Sequence, residues 1–190
     1  MAATLRKRLL SCSFTCAALA AAAPAAAAPA NAAEPPPKAK PAHAIQADLG
    51  LAVVGLAYEH LFAPRVAMQF EAQIFGTWFG PIVDLPNLRG LGGQLRPTFF
   101  LTEDGPRGLY VAPFLRIDRV TAEKDGASGS GVGYSTGVFA GYSFLFGERV
   151  NLRVGGGAQY MSYVVDVAPQ KRVAFKTPFP ALDLVLGYVF

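Results

Sequence analysis

Residues 66–75 read VAMQFEAQIF, and this stretch decides the fold class. Every second residue of it, starting from the first, is apolar, and the residues between them include Gln69, Glu71 and Gln73. Successive side chains of a β-strand point to opposite faces, so an alternation with a period of two predicts a strand. One face of this strand is apolar, and the other is mostly polar.

The same alternation recurs elsewhere in the chain. It is clear over 150–160, which read VNLRVGGGAQY, and over 182–190, which read LDLVLGYVF. Weaker alternation between turn signals predicts further strands over 92–102, 109–119 and 132–146. The predicted fold class is therefore all-β.

The segment 44–62 changes phase in its middle. Its apolar residues are odd-numbered as far as Leu51 and even-numbered from Val54 onward. We expect two strands joined by a tight turn between Gly50 and Gly55, and a single bulged strand is the alternative. With two strands here, the number of predicted strands reaches eight.

The eight strands then occupy 44–190, and each is about ten residues long, the length with which a tilted strand crosses the hydrocarbon core of a bilayer. The connections alternate in length: the short ones are 63–65, 103–107 and 147–149, and the long ones are 77–91, 120–131 and 166–178. Short turns at one end and long loops at the other are typical of outer-membrane barrels, whose long loops are external. We therefore predict an eight-stranded antiparallel up-and-down transmembrane β-barrel with both chain ends on the periplasmic side.

The composition indicates a large apolar surface that must be kept out of water. The chain has 190 residues, enough for one domain, and 52% of them are hydrophobic and 16% charged, which excludes a disordered chain. No run of 18 apolar residues follows residue 43, so a helical membrane span is not predicted. Each large apolar side chain left in water costs roughly 1.5 to 3 kcal/mol. We therefore place the apolar faces in lipid and the polar faces inside the barrel.

The N-terminus has the three-part layout of a cleaved secretory signal peptide. Residues 1–33 contain a basic start, an apolar stretch and an Ala/Pro tract, and 34–43 form a Pro/Lys-rich spacer before the barrel at 44–190. Of the 17 Lys and Arg residues three lie in the leader, so 14 remain against 13 Asp and Glu, and no nucleic-acid binding is expected. Cys12 and Cys16 also lie in the leader, so the mature chain is expected to have no disulfide.

The polar faces carry seven charged side chains that would share the narrow interior of the barrel. They are Glu59, Glu71, Arg96, Arg116, Asp118, Arg153 and Asp183. Unpaired charges in such an interior are costly, so we expect a salt-bridged network that fills the lumen. The alternative is a gated ion path, in which breaking a pair opens a channel.

Candidate catalytic and metal-binding residues are few. His43 lies in or beside the spacer. His60 is even-numbered, like the apolar residues of its predicted strand, so it is predicted to face lipid. His60 is followed by Leu61 and Phe62, so the His-x-Ser motif of lipid A deacylases is absent. We predict no enzymatic activity, no cofactor and no metal site.

Two prolines fall inside predicted strands. Pro97 and Pro113 are each eight residues from Gly105, so a symmetric hairpin places them opposite one another. Proline has no N–H to donate to a neighbouring strand. We therefore predict one local bulge or gap at these positions rather than a regular ladder.

The last nine residues have an alternating apolar pattern that ends in an aromatic residue. The residues of this pattern are Leu182, Leu184, Leu186, Tyr188 and Phe190. The pattern resembles the C-terminal assembly signal of bacterial outer-membrane barrels, and the strand number and loop lengths resemble the small eight-stranded OmpA/OmpX-like barrels. The resemblance implies a monomer in the outer membrane of a Gram-negative bacterium, in contact with lipid and recognised by the barrel assembly machinery during biogenesis.

Three functions are compatible with such a barrel. The first is a non-enzymatic outer-membrane protein with a plugged lumen and a structural or surface-interaction role through its external loops. The second is a porin-like path for small solutes or ions. The third is a soluble periplasmic barrel that binds an apolar ligand inside, as lipocalins do, and in that case the apolar faces would point inward.

Overall fold

The computed structural model describes residues 43–78, 87–103, 105–124, 127–167 and 171–190, which form eight β-strands. They are β1 (His43–Leu49), β2 (Val53–Ala63), β3 (Val66–Gly76), β4 (Leu88–Phe100), β5 (Gly108–Lys124), β6 (Ala127–Phe146), β7 (Val150–Val167) and β8 (Lys171–Val189). The predicted signal peptide and residues 34–42 of the predicted spacer lie outside the described residues.

The strands form a closed ring in which each strand pairs with the next and β8 pairs with β1. At the closure Ala44 is opposite Val189 and Asp48 is opposite Val185, in antiparallel register. This arrangement confirms the predicted all-β, eight-stranded antiparallel up-and-down barrel. Within the described residues, no helix is long and apolar enough to cross a lipid bilayer.

The segment 44–62 forms two strands, as predicted, and not a single bulged strand. The N–H of Gly50 donates to the carbonyl of Val53 over 2.9 Å and closes the turn between them. β1 begins at His43, so the last residue of the predicted spacer is part of the barrel wall.

β5 to β8 are much longer than the sequence predicts. They have 17 to 20 residues, whereas β1 to β4 have 7 to 13. The predicted long loops at 120–131 and 166–178 are therefore wrong, because pairs such as Val120 with Gly131 continue the hairpins through these ranges. A composition rich in Gly, Ser and Pro predicts loops, but it does not exclude a strand that is packed closely against its neighbour.

Close packing between β6 and β7 explains why the glycines near the start of β6 lie in a strand. A Cβ added to Gly133 would lie 2.1 Å from Cδ1 of Tyr163, and one added to Gly131 would lie 2.0 Å from the carbonyl oxygen of Val164. A larger residue at either position would overlap with β7. Glycine is therefore favoured here by the close approach of β7 and does not mark a turn.

β8 extends far beyond its neighbour β1. Residues 185–189 of β8 pair with β1, whereas 171–188 pair with β7. The reason is the length of β1, which ends at Leu49 after seven residues. Within the described part of the chain, residues 171–184 of β8 therefore have a paired strand on one side only.

The two strand prolines interrupt one ladder, as predicted. β4 and β5 pair at Leu95 with Leu115 and again at Phe99 with Val111, but the three positions between them are unpaired. The register is the same on both sides of this gap, so Pro97 and Pro113 lie opposite each other within it. One local gap accommodates both missing donors.

Side chains alternate between the outside and the interior of the ring. Phe70 is 50% exposed and the next residue, Glu71, is 6% exposed; Leu182 is 40% exposed and Asp183 is fully buried. The large apolar residues of the alternating pattern are outside, and the seven predicted charged residues are inside. A lipocalin-like barrel has the reverse arrangement, so the structure does not support that alternative.

The interior has apolar layers at both ends and a polar layer between them. We call the end with His43 and Phe190 the terminal end, and the opposite end the far end. Along β3, Ala67 belongs to the terminal-end layer, Gln69 and Glu71 to the polar layer, and Phe75 to the far-end layer.

The two apolar layers are packed mainly with aromatic and branched side chains. At the far end, Phe75 stacks on Tyr163 with the ring centroids 4.5 Å apart. At the terminal end, Phe114 stacks on Phe139 at 4.6 Å. These layers enclose the polar layer from both sides, which lowers its access to water.

Candidate functional site in the barrel interior

Arg96 is the centre of the polar layer and is fully buried. Its Nη1 lies 2.7 Å from Oδ1 of Asp183 and 3.3 Å from Oδ2 of Asp48, and its Nε donates to Gln69 over 2.7 Å. Arg96 is on β4 and Asp183 is on β8, half the ring away. This ion pair therefore crosses the lumen and ties opposite walls together.

Asp183 has a partner on each of its carboxylate oxygens. Arg96 donates to Oδ1, and the hydroxyl of Tyr110 donates to Oδ2. A buried carboxylate is stable when its charge is paired and its oxygens accept hydrogen bonds. Both conditions are met here by side chains from two other strands.

Arg153 forms the second ion pair of the interior. Its Nη2 lies 2.5 Å from Oε1 of Glu59, and the amide of Gln46 donates to the same oxygen over 3.3 Å. The guanidinium also lies over the rings of Phe100 and Tyr110, at 5.4 and 5.8 Å from their centroids. The cation is therefore stabilised by one carboxylate and two aromatic faces.

Arg116 is surrounded by amides rather than carboxylates. It donates to the side-chain oxygens of Gln94, Gln73 and Gln159 over 2.7, 3.1 and 3.3 Å, and it forms no ion pair within 4 Å among the described residues. Gln94 donates in turn to Glu71 over 2.8 Å. The structure thus joins Arg116 to Glu71 through a glutamine and not directly.

Asp118 is held entirely by neutral donors. It is fully buried and accepts hydrogen bonds from Gln73 over 2.7 Å and from the hydroxyl of Tyr163 over 2.6 Å. The seven predicted residues are therefore all inside the barrel. Arg96 forms ion pairs with Asp183 and Asp48, and Arg153 forms one with Glu59. The other three share a network of amides and hydroxyls, and Gln69 connects this network to Arg96, because Gln69 accepts from Arg96 over 2.7 Å and donates to Glu71 over 3.3 Å.

Several members of the interior network were not among the predicted residues. They are Gln46, Asp48, Gln69, Gln73, Gln94, Tyr110, Gln159 and Tyr163. The alternation along each strand is the signal that could have found them, because each is an even number of positions from the other inward-facing residues of its strand. Glycine is a second signal: a Cβ on Gly55 would lie 2.1 Å from Oε1 of Glu71, and one on Gly92 would lie 2.1 Å from Oδ1 of Asp118.

Some buried polar atoms of the network have no partner within the protein. Among the described residues they include Nη2 of Arg96, Nε and Nη1 of Arg153, and one carboxylate oxygen each of Glu59 and Glu71. Such atoms are costly to bury without a hydrogen bond. The polar layer is therefore less completely satisfied by protein groups than the two ion-pair distances suggest.

The residues of the C-terminal pattern lie on the outer face of β8, and Leu186, Tyr188 and Phe190 are beside β1 at the ring closure. Leu182, Leu186, Tyr188 and Phe190 are exposed, and Leu184 is partly buried. The N–H of Phe190 donates to the carbonyl of His43 over 2.8 Å, and the N–H of His43 donates back over 3.1 Å. The last residue therefore takes part in closing the barrel.

Similar folds occur among solved structures. The N-terminal β-barrel domain of Pseudomonas aeruginosa OprF matches with a TM-score of 0.54 and 13% sequence identity, over 79% of this chain and 96% of that chain. Neisserial surface protein A matches with a TM-score of 0.50 and 11% identity, over 78% of this chain and 94% of that chain. No protein-family model matches the sequence, and no curated protein matches it either. At this level of identity the likeness concerns the fold, and the chain has the fold of the small eight-stranded antiparallel β-barrels.

Proposed function

We propose that the chain is a non-enzymatic integral barrel of the bacterial outer membrane, with a plugged lumen and a structural or surface-interaction role. The observation that carries this proposal is the belt of large apolar side chains on the outer face. Leu56, Phe70, Ile117, Val132 and Leu186, from five different strands, are each 50 to 66% exposed. Such a belt around the whole ring is unfavourable in water and favourable in hydrocarbon.

The backbone of the ring supports the same environment. A bilayer offers no hydrogen-bond partners, so membrane-spanning strands must satisfy their N–H and C=O groups within the protein. The pairing of β8 with β1 meets this requirement around the terminal end of the ring, where all eight strands are present.

Aromatic side chains at the terminal end fit one of the interfaces of a membrane. Phe62, Phe144, Phe146, Tyr188 and Phe190 are all exposed there, between 41 and 63%. Aromatic residues are enriched where hydrocarbon meets the headgroups. We place this end at the periplasmic face, where the barrel assembly machinery is proposed to recognise the final strand.

The closed interior argues for a role other than transport. The side chains of Arg96, Arg153 and Asp183 are fully buried, and apolar layers lie on both sides of them. A path for solutes would need these groups to separate. The proposed role therefore depends on the surface of a monomer in contact with outer-membrane lipid, and it requires no cofactor and no nucleic acid.

Electrophoresis of an outer-membrane fraction tests this proposal. Closed barrels resist detergent, so unboiled protein should migrate differently from boiled protein, and the chain should require detergent for extraction. A chain that stays in the aqueous fraction would refute the membrane location. Deletion of Phe190 should reduce the folded fraction in the membrane, and normal insertion of this truncation would refute the role assigned to the C-terminal pattern.

A pore is the second candidate, and one observation favours it. Within the described ranges of the chain, Nε and Nη1 of Arg153 have no protein hydrogen-bond partner, and such polar atoms can support water inside a lumen. Conductance of the purified protein in a planar bilayer separates the two functions. We expect no steady current, and steady open currents that disappear when the lumen is blocked would favour the pore.

A further inference from the structure

The two histidines of the chain meet on the outer face of the barrel. His43 and His60 are the only histidines in the sequence and are 17 positions apart. The β1–β2 register places them directly opposite each other at the terminal end. The side chains of directly opposed residues on adjacent strands contact each other. A pairing that is not apparent in the sequence therefore creates a cluster of two imidazoles.

One ring nitrogen of His43 is shared between two partners in this cluster. Nδ1 of His43 lies 3.2 Å from Nδ1 of His60 and 2.5 Å from the hydroxyl oxygen of Tyr58. A neutral imidazole nitrogen carries either one hydrogen or one lone pair, so it serves one partner well. Here two nitrogens and one oxygen converge on a single region of space.

The separation of the two nitrogens is close to that required by a shared metal ion. A tetrahedral Zn²⁺ binds imidazole nitrogen at about 2.0 to 2.1 Å, which puts two such ligands about 3.3 to 3.4 Å apart. The observed 3.2 Å is within about 0.2 Å of this value. A small adjustment of the rings would direct both lone pairs at one cation.

We propose that His43 and His60 bind a divalent cation of the late first-row transition metals, such as Zn²⁺ or Cu²⁺. Imidazole nitrogen is a preferred ligand of these ions, and Cu²⁺ forms the most stable complexes in the series. The hydroxyl oxygen of Tyr58 is the third candidate ligand, and water completes the coordination. Within the described residues no group of three or more His, Cys, Asp or Glu is arranged as a metal site, so this site has two protein nitrogens and not a full cage.

The position of the site gives the bound ion a structural effect. His43 stacks on Phe190 with ring centroids 5.9 Å apart, and β1, the shortest strand, joins β8 at this point. An ion held by β1 and β2 would tie the first strand to the ring beside its closure. Because the ion binds the folded chain preferentially, it should raise the temperature at which the unboiled form is lost.

Copper titration of the full chain, purified without a histidine tag, tests the site. Pulsed electron paramagnetic resonance counts the imidazoles bound to Cu²⁺, and two are expected. His43→Gln and His60→Gln should each leave one imidazole and weaken binding at least about tenfold, because the second ligand no longer binds intramolecularly. The double variant shows any binding elsewhere in the chain, and unboiled electrophoresis shows that each variant is a closed barrel.

A matched control moves one histidine without changing their number. His60→Gln combined with Phe62→His keeps two imidazoles on the same face, but the second is two residues farther along β2 and is no longer opposite His43. We expect this variant to bind like His60→Gln. The proposal is overturned if the wild type shows fewer than two imidazoles per ion, if the double variant binds as tightly, or if the control restores full affinity.

Discussion

The barrel interior and the β4–β5 turn each contain an arginine–carboxylate ion pair of similar length. Arg96 and Asp183 are 2.7 Å apart and fully buried, whereas Arg107 and Glu103 are 2.9 Å apart, with side chains 58 and 40% exposed. The distances suggest equal interactions, but the surroundings differ. Water screens the pair at the turn and competes for its hydrogen bonds, whereas the pair in the lumen is enclosed by protein side chains and is screened less.

The largest loss of stability is expected when the carboxylate of the Arg96–Asp183 pair is removed and the arginine is kept. Asp183→Asn keeps the shape of the side chain but removes the charge opposite Arg96 and the charged acceptor of Tyr110. Of the residues that the structure describes, Asp48 is then the one carboxylate still paired with Arg96. We expect the free energy of unfolding to fall by about 3 kcal/mol, measured by urea unfolding in lipid vesicles.

A triple variant shows whether the cost comes from an uncompensated charge. Arg96→Met with Asp183→Leu and Asp48→Asn removes the buried cation together with both of its carboxylate partners. Replacement of a complete buried ion-paired group is often neutral, so this variant should lose less stability than Asp183→Asn alone. A triple variant that is the less stable of the two would show that the ion pairs themselves, and not the orphaned charge, stabilise the ring.

An intermediate effect is expected around Arg116, whose hydrogen-bond partners are glutamine amides and not carboxylates. Gln94→Met removes the 2.7 Å hydrogen bond from Arg116 and the 2.8 Å hydrogen bond to Glu71. Arg116 keeps Gln73 and Gln159, so its charge is still solvated by two amides. The expected loss is about 2 kcal/mol in the same unfolding assay. A loss smaller than that caused by Arg107→Gln, the variant at the β4–β5 turn, would mean that the amide network contributes little to stability.

The smallest effect is expected at the turn. Arg107→Gln breaks the pair with Glu103, whose other oxygen accepts a hydrogen bond from Tyr142. The change in the free energy of unfolding should be below about 1 kcal/mol and should disappear at high salt. The Asp183→Asn effect should persist in the same salt series. A turn variant as damaging as Asp183→Asn would remove the distinction between the two regions.

The inward position of the charged residues could be predicted, whereas their pairing could not. Parity along a strand determines which face carries Arg96 or Asp183, because the period of a strand is two. Contact between them depends on how all eight strands are shifted relative to one another around the ring. A local sequence pattern does not determine this shift. For the same reason the sequence predicts a network of charged residues but not its connections. In the structure Gln69 joins the ion pairs of Arg96 to Glu71, and Gln94 joins Glu71 to Arg116.

The far end was the least predictable part of the fold. Residues 127–131 belong to a segment predicted as a loop, but they form a strand, in which a Cβ on Gly129 or Gly131 would lie 2.2 or 2.0 Å from the carbonyl oxygen of Asp166 or Val164. The space available at a position is a property of the neighbouring strand and not of the segment itself. The meeting of His43 and His60 is similar, since it follows from the register of β1 on β2.

The unequal lengths of β1 and β8 create a template that a second chain could extend, and the sequence blocks it. The N–H of Phe190 points towards β1, so the even-numbered residues of β8 present their backbone groups to that side. Pro178 and Pro180 are even-numbered and lie in the part of β8 that β1 does not cover. The two missing donors interrupt the exposed row of hydrogen-bonding groups, which protects the protein against edge-to-edge aggregation.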